Sequence, residues 1–403
     1  MKNLLTLKNY FLLCVAAMPL YLLRINFFGL PTNLFELGAL LALVIWFVTG
    51  FGNHKAKLRS IPPFIFGGVF LLLTGILLSA IANPISMSGL GIIKSWFLLP
   101  IFFSYALFSL IENELDIKRV LQAIFVSASA VSLVAIAYKA LGLVTYDARL
   151  SAFYGSPNYL AMYLAPAVIF GFFLALAANT GSKERPFYVT ASIPILLAFF
   201  WTYSYAAWAA TLMAIFLALY LTKPKRRMAV ALCAAIVAFL IIFSQLQSNK
   251  FSTLLQADSR SSLASRIMIW KSSFLMIKNH PITGIGPGNF QQTYLAYQKY
   301  FPPYLEWAVP EPHNLLLAFW LQTGLAGLLG FLFVIFYAIF LLLQIIKAKE
   351  NTALAAALLA FFLYTFLHGL FDTPFWKNDL SMLFWLCIFI SISLYRARSS
   401  KKL

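Results

Sequence analysis

The sequence predicts an all-α polytopic membrane protein of about twelve transmembrane helices. Three observations carry that prediction. The chain is 62% hydrophobic and only 10% charged, whereas a soluble domain is roughly half apolar and a quarter charged. Apolar runs of about 20 residues, the length that crosses a bilayer as a helix, follow one another along most of the chain. The basic residues that give a net charge of +18 lie between those runs and form no basic domain. Such spacing suits inner loops facing anionic lipid and argues against a nucleic-acid partner.

In chain order, the candidate spans lie at roughly 10–30, 33–50, 62–82, 90–111, 119–141, 157–179, 187–203, 205–222 and 228–246. Three more lie at roughly 320–346, 352–370 and 379–396. The first apolar run is followed by no small-residue cleavage site, so it reads as a retained helix. The seventh and eighth spans are parted only by a short break at Tyr203–Tyr205. Cys14, Cys233 and Cys387 all fall inside apolar runs and read as packing residues, with no metal-ligand spacing. The chain therefore divides into nine helices over 1–246, a long polar loop over 247–312, and three helices with a basic tail over 313–403.

Charge orients the bundle. With the N-terminus inside, only Arg24, Lys94, Lys139, Arg149, Lys250, Arg260, Arg266, Lys271, Lys278, Lys299 and Lys377 of the 30 basic residues fall outside. Several of these sit in the long loop, which short-loop counting exempts. Both termini are thus expected in the cytoplasm and the long loop outside.

The unusual polar residues collect on that outer face. Lys94 stands at the mouth of the fourth span. Arg149 lies in a polar turn just before Ser156-Pro157-Asn158, where Ser156 suits an N-cap and Pro157 a first helical turn. An anion there would meet exposed N–H groups and a guanidinium. Within the long loop, Ser259–Asn279 reads as a helix on the membrane surface, with Leu263, Ile267, Trp270, Phe274 and Ile277 at helical spacing and Arg260 and Arg266 beside them. The segment His280–Phe290 holds three glycines and two prolines and predicts a tight turn. His280, before proline at a helix end, serves equally well as a cap. His313 and Asn314 precede the tenth span. An unbroken helix from Asn314 would bring Gly324, about three turns on, to nearly the same face as His313. Gly327 and Gly330 would continue a row of small residues for close helix packing. The outer carboxylates Asp147, Asp258, Glu306, Glu311, Asp372 and Asp379 are scattered in sequence and suggest no metal set.

These residues resemble the O-antigen ligase and Wzy-type polymerase superfamily of bacterial envelope glycosyltransferases. The ligase pattern is His, then Asn, Ser or Gln, nine residues, Gly, two residues, then Gly, Thr or Tyr. Here it reads His313-Asn314, nine residues, Gly324-Leu325-Ala326-Gly327. The segments ARLSAFYGSPNYLAMYL and SRIMIWKSSFLMIKNHPITGIGPGNF also look like the family. One departure is Thr202-Tyr203-Ser204-Tyr205-Ala206, where members commonly carry Arg at the position of Tyr205; no role is assigned there. The polymerase pattern, Arg followed by ten residues and Gly, is met by none of Arg149, Arg260 and Arg266. A protein oligosaccharyltransferase of the superfamily is expected to carry a C-terminal extension, so a sequence that stops just after its last span leans towards the ligase.

The resemblance implies a fold like the GT-C glycosyltransferases and an inner-membrane enzyme working at the periplasmic face. Its donor would be O-antigen on undecaprenyl diphosphate, its acceptor the lipid A–core oligosaccharide, and its chemistry inverting and metal-independent, with no cofactor. It implies His313 as base, Arg149 and Arg266 as the groups that stabilise the diphosphate, and Arg260, Lys94, Asn158, His280 and Asn314 as substrate-binding residues. Neighbouring arginines are expected to lower the pKa of His313. The rival of a different class is a secondary transporter, which usually shows related halves and a midplane site; the sequence has neither signature.

Overall fold

The computed structural model describes residues 2–27, 30–179, 181–246, 262–302 and 309–399. It is a helical bundle. In chain order come α1 (Lys2–Ala16), α2 (Leu34–Leu58), α3 (Pro63–Ala82), α4 (Met87–Ile92) and α5 (Leu99–Leu110). Then follow α6 (Glu114–Ala140), α7 (Pro157–Ala177), α8 (Glu184–Trp201), α9 (Tyr205–Thr222) and α10 (Arg227–Gln245). The long loop contains α11 (Ser262–Asn279) and α12 (Phe290–Tyr297). The chain closes with α13 (Leu315–Lys347), α14 (Thr352–Gly369) and α15 (Asn378–Ser399).

Among the described residues, nine helices are long and apolar enough to cross a membrane. Leu7–Ala16 and Leu34–Thr49 are shorter apolar helices. α4 and α5 form one of the nine, joined through a π-helical stretch at Ile93–Leu98.

The first expected span is not one helix. α1 ends at Ala16, and a short 3₁₀ turn begins at Met18, next to Pro19. A two-stranded antiparallel hairpin follows, β1 (Arg24–Phe27) paired with β2 (Leu30–Asn33). Proline denies the helix a backbone donor, and the pairing supplies partners for the peptide groups released. Among the described residues the fold is therefore all-α apart from this hairpin. The break between the seventh and eighth spans is present: Thr202–Ser204 separates α8 from α9, with Tyr203 at φ 47°.

α13 packs most intimately against α3, glycine to glycine. A Cβ on Gly75 would lie 2.2 Å from the Gly327 nitrogen, and one on Gly330 would lie 2.4 Å from the Leu72 nitrogen. Two backbones approach this closely only where side chains are absent. Gly75→Leu is accordingly expected to cost more than ordinary overpacking, itself about 1–3 kcal/mol. The check is thermal unfolding of the purified variant, and a wild-type melting profile would contradict the close crossing.

α13 is not the unbroken helix that the sequence suggests. Gly324 takes φ 70° and ψ 178°, which breaks the helical path in its middle. The tight turn after α11 fills the break. The Leu325 N–H donates to the Ile282 carbonyl (2.9 Å), and the Ile285 N–H donates to the Leu321 carbonyl (2.7 Å). A kink in an apolar helix is tolerated when freed backbone groups find partners in this way. Gly284, Gly286 and Gly288 all have positive φ, and a Cβ on Gly284 would lie 2.3 Å from the Leu321 carbonyl oxygen. Gly324 is thus a hinge that receives the loop, and only Gly327 and Gly330 serve the packing against α3.

α11 turns Met268, Ile269 and Met276 towards the protein, with Ser272 and Ser273, and leaves Leu263, Ile267 and Phe274 exposed. Its inner face joins Ile285, Phe290, Tyr294, Leu317 and Leu321 in a small core that ties the loop to the first half of α13.

Candidate active site

Three interhelical segments and α11 meet around one buried carboxylate, Asp372, in the turn between α14 and α15. The turn is anchored by Phe375 and Trp376, both fully buried among Phe97, Phe319 and Phe384. Aromatic packing of this kind fixes a turn firmly, so Asp372 is presented at a defined place.

His313 reaches it from the start of α13. Asn314 caps that helix: its Oδ1 accepts from the Leu316 and Leu317 N–H groups, each at 3.0 Å, and its Nδ2 donates to the Leu370 carbonyl. Asn314 therefore clamps the helix start to the Asp372 turn with both ends of its side chain. His313 itself has φ 47°, a conformation of elevated energy for a residue with a Cβ. It brings Nδ1 to 3.1 Å from Asp372 Oδ1. An ionised carboxylate only accepts, so Nδ1 carries the proton and donates. Nε2 is left as the basic nitrogen.

Arg266 arrives from α11. Its Nε donates to the Phe371 carbonyl at 2.8 Å and its Nη1 to the Ser262 carbonyl at 3.2 Å, while Nη2 lies 3.7 Å from Asp372 Oδ2. Arg149 arrives from the turn between α6 and α7. Its Nε donates to the Thr202 carbonyl (2.8 Å) and its Nη2 to Asn158 Oδ1 (2.7 Å). Asn158, in the first turn of α7, then donates from Nδ2 to Asp372 Oδ2 at 3.2 Å. The expected cap is present beside it, since Ser156 Oγ accepts from the Asn158 N–H. Arg149, Asn158, Asp372, His313 and Arg266 are thus one connected set. Arg149 also lies 3.8 Å from Asp147.

A second ion pair adjoins the first. Thr373 Oγ1 donates to the buried Glu311, and the Lys377 ammonium lies 3.7 Å from Glu311 and 4.1 Å above the Tyr159 ring. Asp147, Glu311 and Asp372, far apart in sequence, are therefore gathered here as partners of cations. Asp379 lies with Tyr154, which donates to its Oδ2 at 3.3 Å. Asp258 and Glu306 fall outside the described residues. Among the described residues, no group of three or more His, Cys, Asp or Glu side chains could hold a metal ion.

Electrostatics follow from this arrangement. Burial opposes ionisation of Asp372, but His313 and Arg266 beside it hold its carboxyl well below the usual carboxylate range. Burial pushes the His313 pKa down, yet the Asp372 carboxylate, through charge and hydrogen bond, carries it above the ordinary imidazole value against Arg266. This corrects the expected sign: the nearest charge on His313 is an anion. Burial lowers the pKa of Arg149. Burial raises that of Glu311 despite Lys377.

Other candidates lie elsewhere. Lys94 belongs to a separate cluster at the start of α2, where its Nζ is 2.8 Å from Glu36 Oε2; Thr32 and Asn378 also donate to Glu36. His280 follows the last residue of α11, and its carbonyl accepts from the Gly284 N–H. It opens the turn that docks at Gly324, with no hydrogen bond or ion pair to the Asp372 set. Arg260 falls outside the described residues. Tyr205, at the family's arginine position, donates to Gln245 Oε1 at 3.0 Å, while the adjacent Thr202 carbonyl holds Arg149. The sequence reading missed Asp372. Its one local signal was a carboxylate in a turn flanked by two aromatics and a proline.

Residues 190–332 match the family model described as O-antigen ligase. No curated protein matches the chain significantly. The match runs from within α8 past the kink in α13, and so includes Arg266, His313, Gly324 and Gly327. The match makes this chain similar, over residues 190–332, to the O-antigen ligase and Wzy superfamily, and the apolar helices make it a multi-pass membrane protein.

Proposed function

We propose that the protein is the ligase of this superfamily, transferring O-antigen from undecaprenyl diphosphate to a hydroxyl of the lipid A–core oligosaccharide at the periplasmic face of the inner membrane. One observation carries the reading: a His–Asp dyad and two arginines share one set joined by hydrogen bonds and an ion pair. On this reading twelve helices span the membrane, α1, α2 and α8 completing the count, and both termini are cytoplasmic.

His313 Nε2 takes the proton of the acceptor hydroxyl as its oxygen attacks the anomeric carbon. The bond from that carbon to the diphosphate oxygen breaks, and the lipid diphosphate leaves with the electron pair. Asp372 holds the imidazole in the required tautomer and stabilises the imidazolium that forms, as in other His–Asp systems. Arg149 and Arg266 answer the charge developing on the leaving diphosphate. Their fixed Nε hydrogen bonds pre-orient the two forks, which is the condition for transition-state stabilisation without reorganisation. Asn158 and Asn314 position these groups and do not bind substrate themselves. No metal takes part in this scheme.

The test is reconstituted transfer with a defined lipid-diphosphate glycan and lipid A–core, run with and without chelator. The ligase reading expects glycan on lipid A–core, free lipid diphosphate and indifference to chelator. Lengthening of the lipid-linked chain would mark a polymerase. Arg149→Lys is expected to lower kcat by about 10²-fold or more, because a point charge cannot hold both the Thr202 carbonyl and Asn158. Unchanged turnover would remove Arg149 from the site.

A further inference from the structure

A cavity with both polar and apolar walls lies at the other end of the bundle. Its volume is about 300 Å³, and it is lined by Phe108, Ile111, Glu112, Asn113, Ser393 and Arg396 among others. α15 begins beside Asp372, and Ser393 lies about 22 Å further along it. The cavity therefore takes no part in the chemistry above. On the proposed topology it opens towards the inner leaflet.

Its groups are unusual for a helix-packing gap. Ser393 is only 8% exposed, and among the described residues its hydroxyl has no hydrogen-bond partner. A serine in an apolar helix usually bonds the carbonyl four residues back, as the neighbouring Ser391 does to Cys387 at 2.7 Å. Ser393 does not, and it lines the cavity. The Arg396 guanidinium stands 5.8 Å above the Phe108 ring. Glu112 is 59% exposed in its side chain and lies 3.6 Å from Lys8. Lys8 is itself buried and bonded more closely to Asp116, at 2.7 Å. The cavity thus offers a cation and an unpaired hydroxyl on α15, an anion on the α5–α6 link, and an apolar wall.

That combination selects a charge pattern. A simple anion would gain from Arg396 and from the α6 N-terminus, but would be opposed by Glu112 and by Glu114 and Asp116 in the first turn of α6. A group carrying both signs meets no such conflict. We propose that this cavity is a site for a phospholipid whose headgroup joins a phosphate to a primary ammonium. The phosphate lies beside Arg396, where a charge-assisted hydrogen bond is strong, and the Ser393 hydroxyl, itself buried, reaches it by rotation about its Cα–Cβ bond. The ammonium faces Glu112. The glycerol and first methylenes lie along Phe108, Ile111 and Ile117.

Native mass spectrometry of the purified full chain tests this. After delipidation, the protein is titrated with phosphatidylethanolamine, phosphatidylglycerol or inorganic phosphate. The expected result is one tightly held phosphatidylethanolamine, bound about tenfold less well by Arg396→Gln. Glu112→Gln is expected to abolish the preference over phosphatidylglycerol while keeping a bound lipid. Equal retention of both lipids by the wild-type chain, equal retention by Arg396→Gln, or displacement of the lipid by inorganic phosphate would each overturn the assignment.

Discussion

Replacing His313 by alanine is expected to leave a folded membrane protein whose transfer rate falls by about 10²–10⁴-fold, the usual span of a general base. The fold should survive because the substitution leaves intact the three anchors of this corner. Asn314 still caps α13 and bonds the Leu370 carbonyl, Phe375 and Trp376 still hold the turn, and Arg266 still bonds the Phe371 carbonyl. Alanine also keeps the left-handed backbone strained, so a small loss of stability accompanies the change. The diagnostic readout is added imidazole. The space left beside Asp372 admits a free imidazole, and partial recovery of rate that grows with its concentration identifies proton transfer as the lost step. A variant with wild-type turnover would show that another group is the base.

The second large effect belongs to Asp372. Its two oxygens face four donors: His313 Nδ1, the Thr373 N–H, Asn158 Nδ2 and Arg266 Nη2. In Asp372→Asn the new amide NH₂ meets a donor whichever way it is turned. The expected loss is again about 10²–10⁴-fold in kcat, because the imidazole loses both its tautomer and its counter-charge. The pH profile separates this from simple misfolding. In the wild-type protein the base works only when neutral, so the rate rises with pH through the His313 pKa. Asp372 holds that pKa above the ordinary value of about 6.5. Removing the carboxylate leaves burial, the largest influence, and Arg266 to lower the pKa, against Glu311, the smallest, which raises it, so the midpoint moves to lower pH in the variant. A profile unmoved by the substitution would mean that Asp372 does not act through His313.

The two predictions draw on different kinds of information. His313 and Gly327 were legible because they lie on one local segment, where a histidine precedes an apolar helix at a defined spacing, whereas Gly324, expected in the same packing row, is the break in that helix. Arg149 was legible for the same reason, standing just before a Ser-Pro-Asn helix start in an otherwise apolar chain. Asp372 was not. It lies 59 residues from His313 and 214 from Asn158, and in sequence it looks no different from Asp379, which is directed instead at Tyr154. Lys94 shows the reverse case. It stood at the outer mouth of a span like the other candidates, yet Glu36 from α2 claims it.

The sequence by itself determined the membrane class, the positions of most of the helices, and Arg149 and Arg266 as the cations that gather near Asp372. Those features depend on hydropathy and charge summed over neighbouring residues. Only the tertiary structure decided which carboxylate answers which cation, that α13 breaks at Gly324 to accept the loop, and that a 3₁₀ turn and a hairpin replace the first span beyond Ala16. Each of these depends on groups brought together across the bundle. A buried charge or a released peptide group costs several kcal/mol unless it finds a partner, and the packed fold supplies those partners from segments remote in the chain.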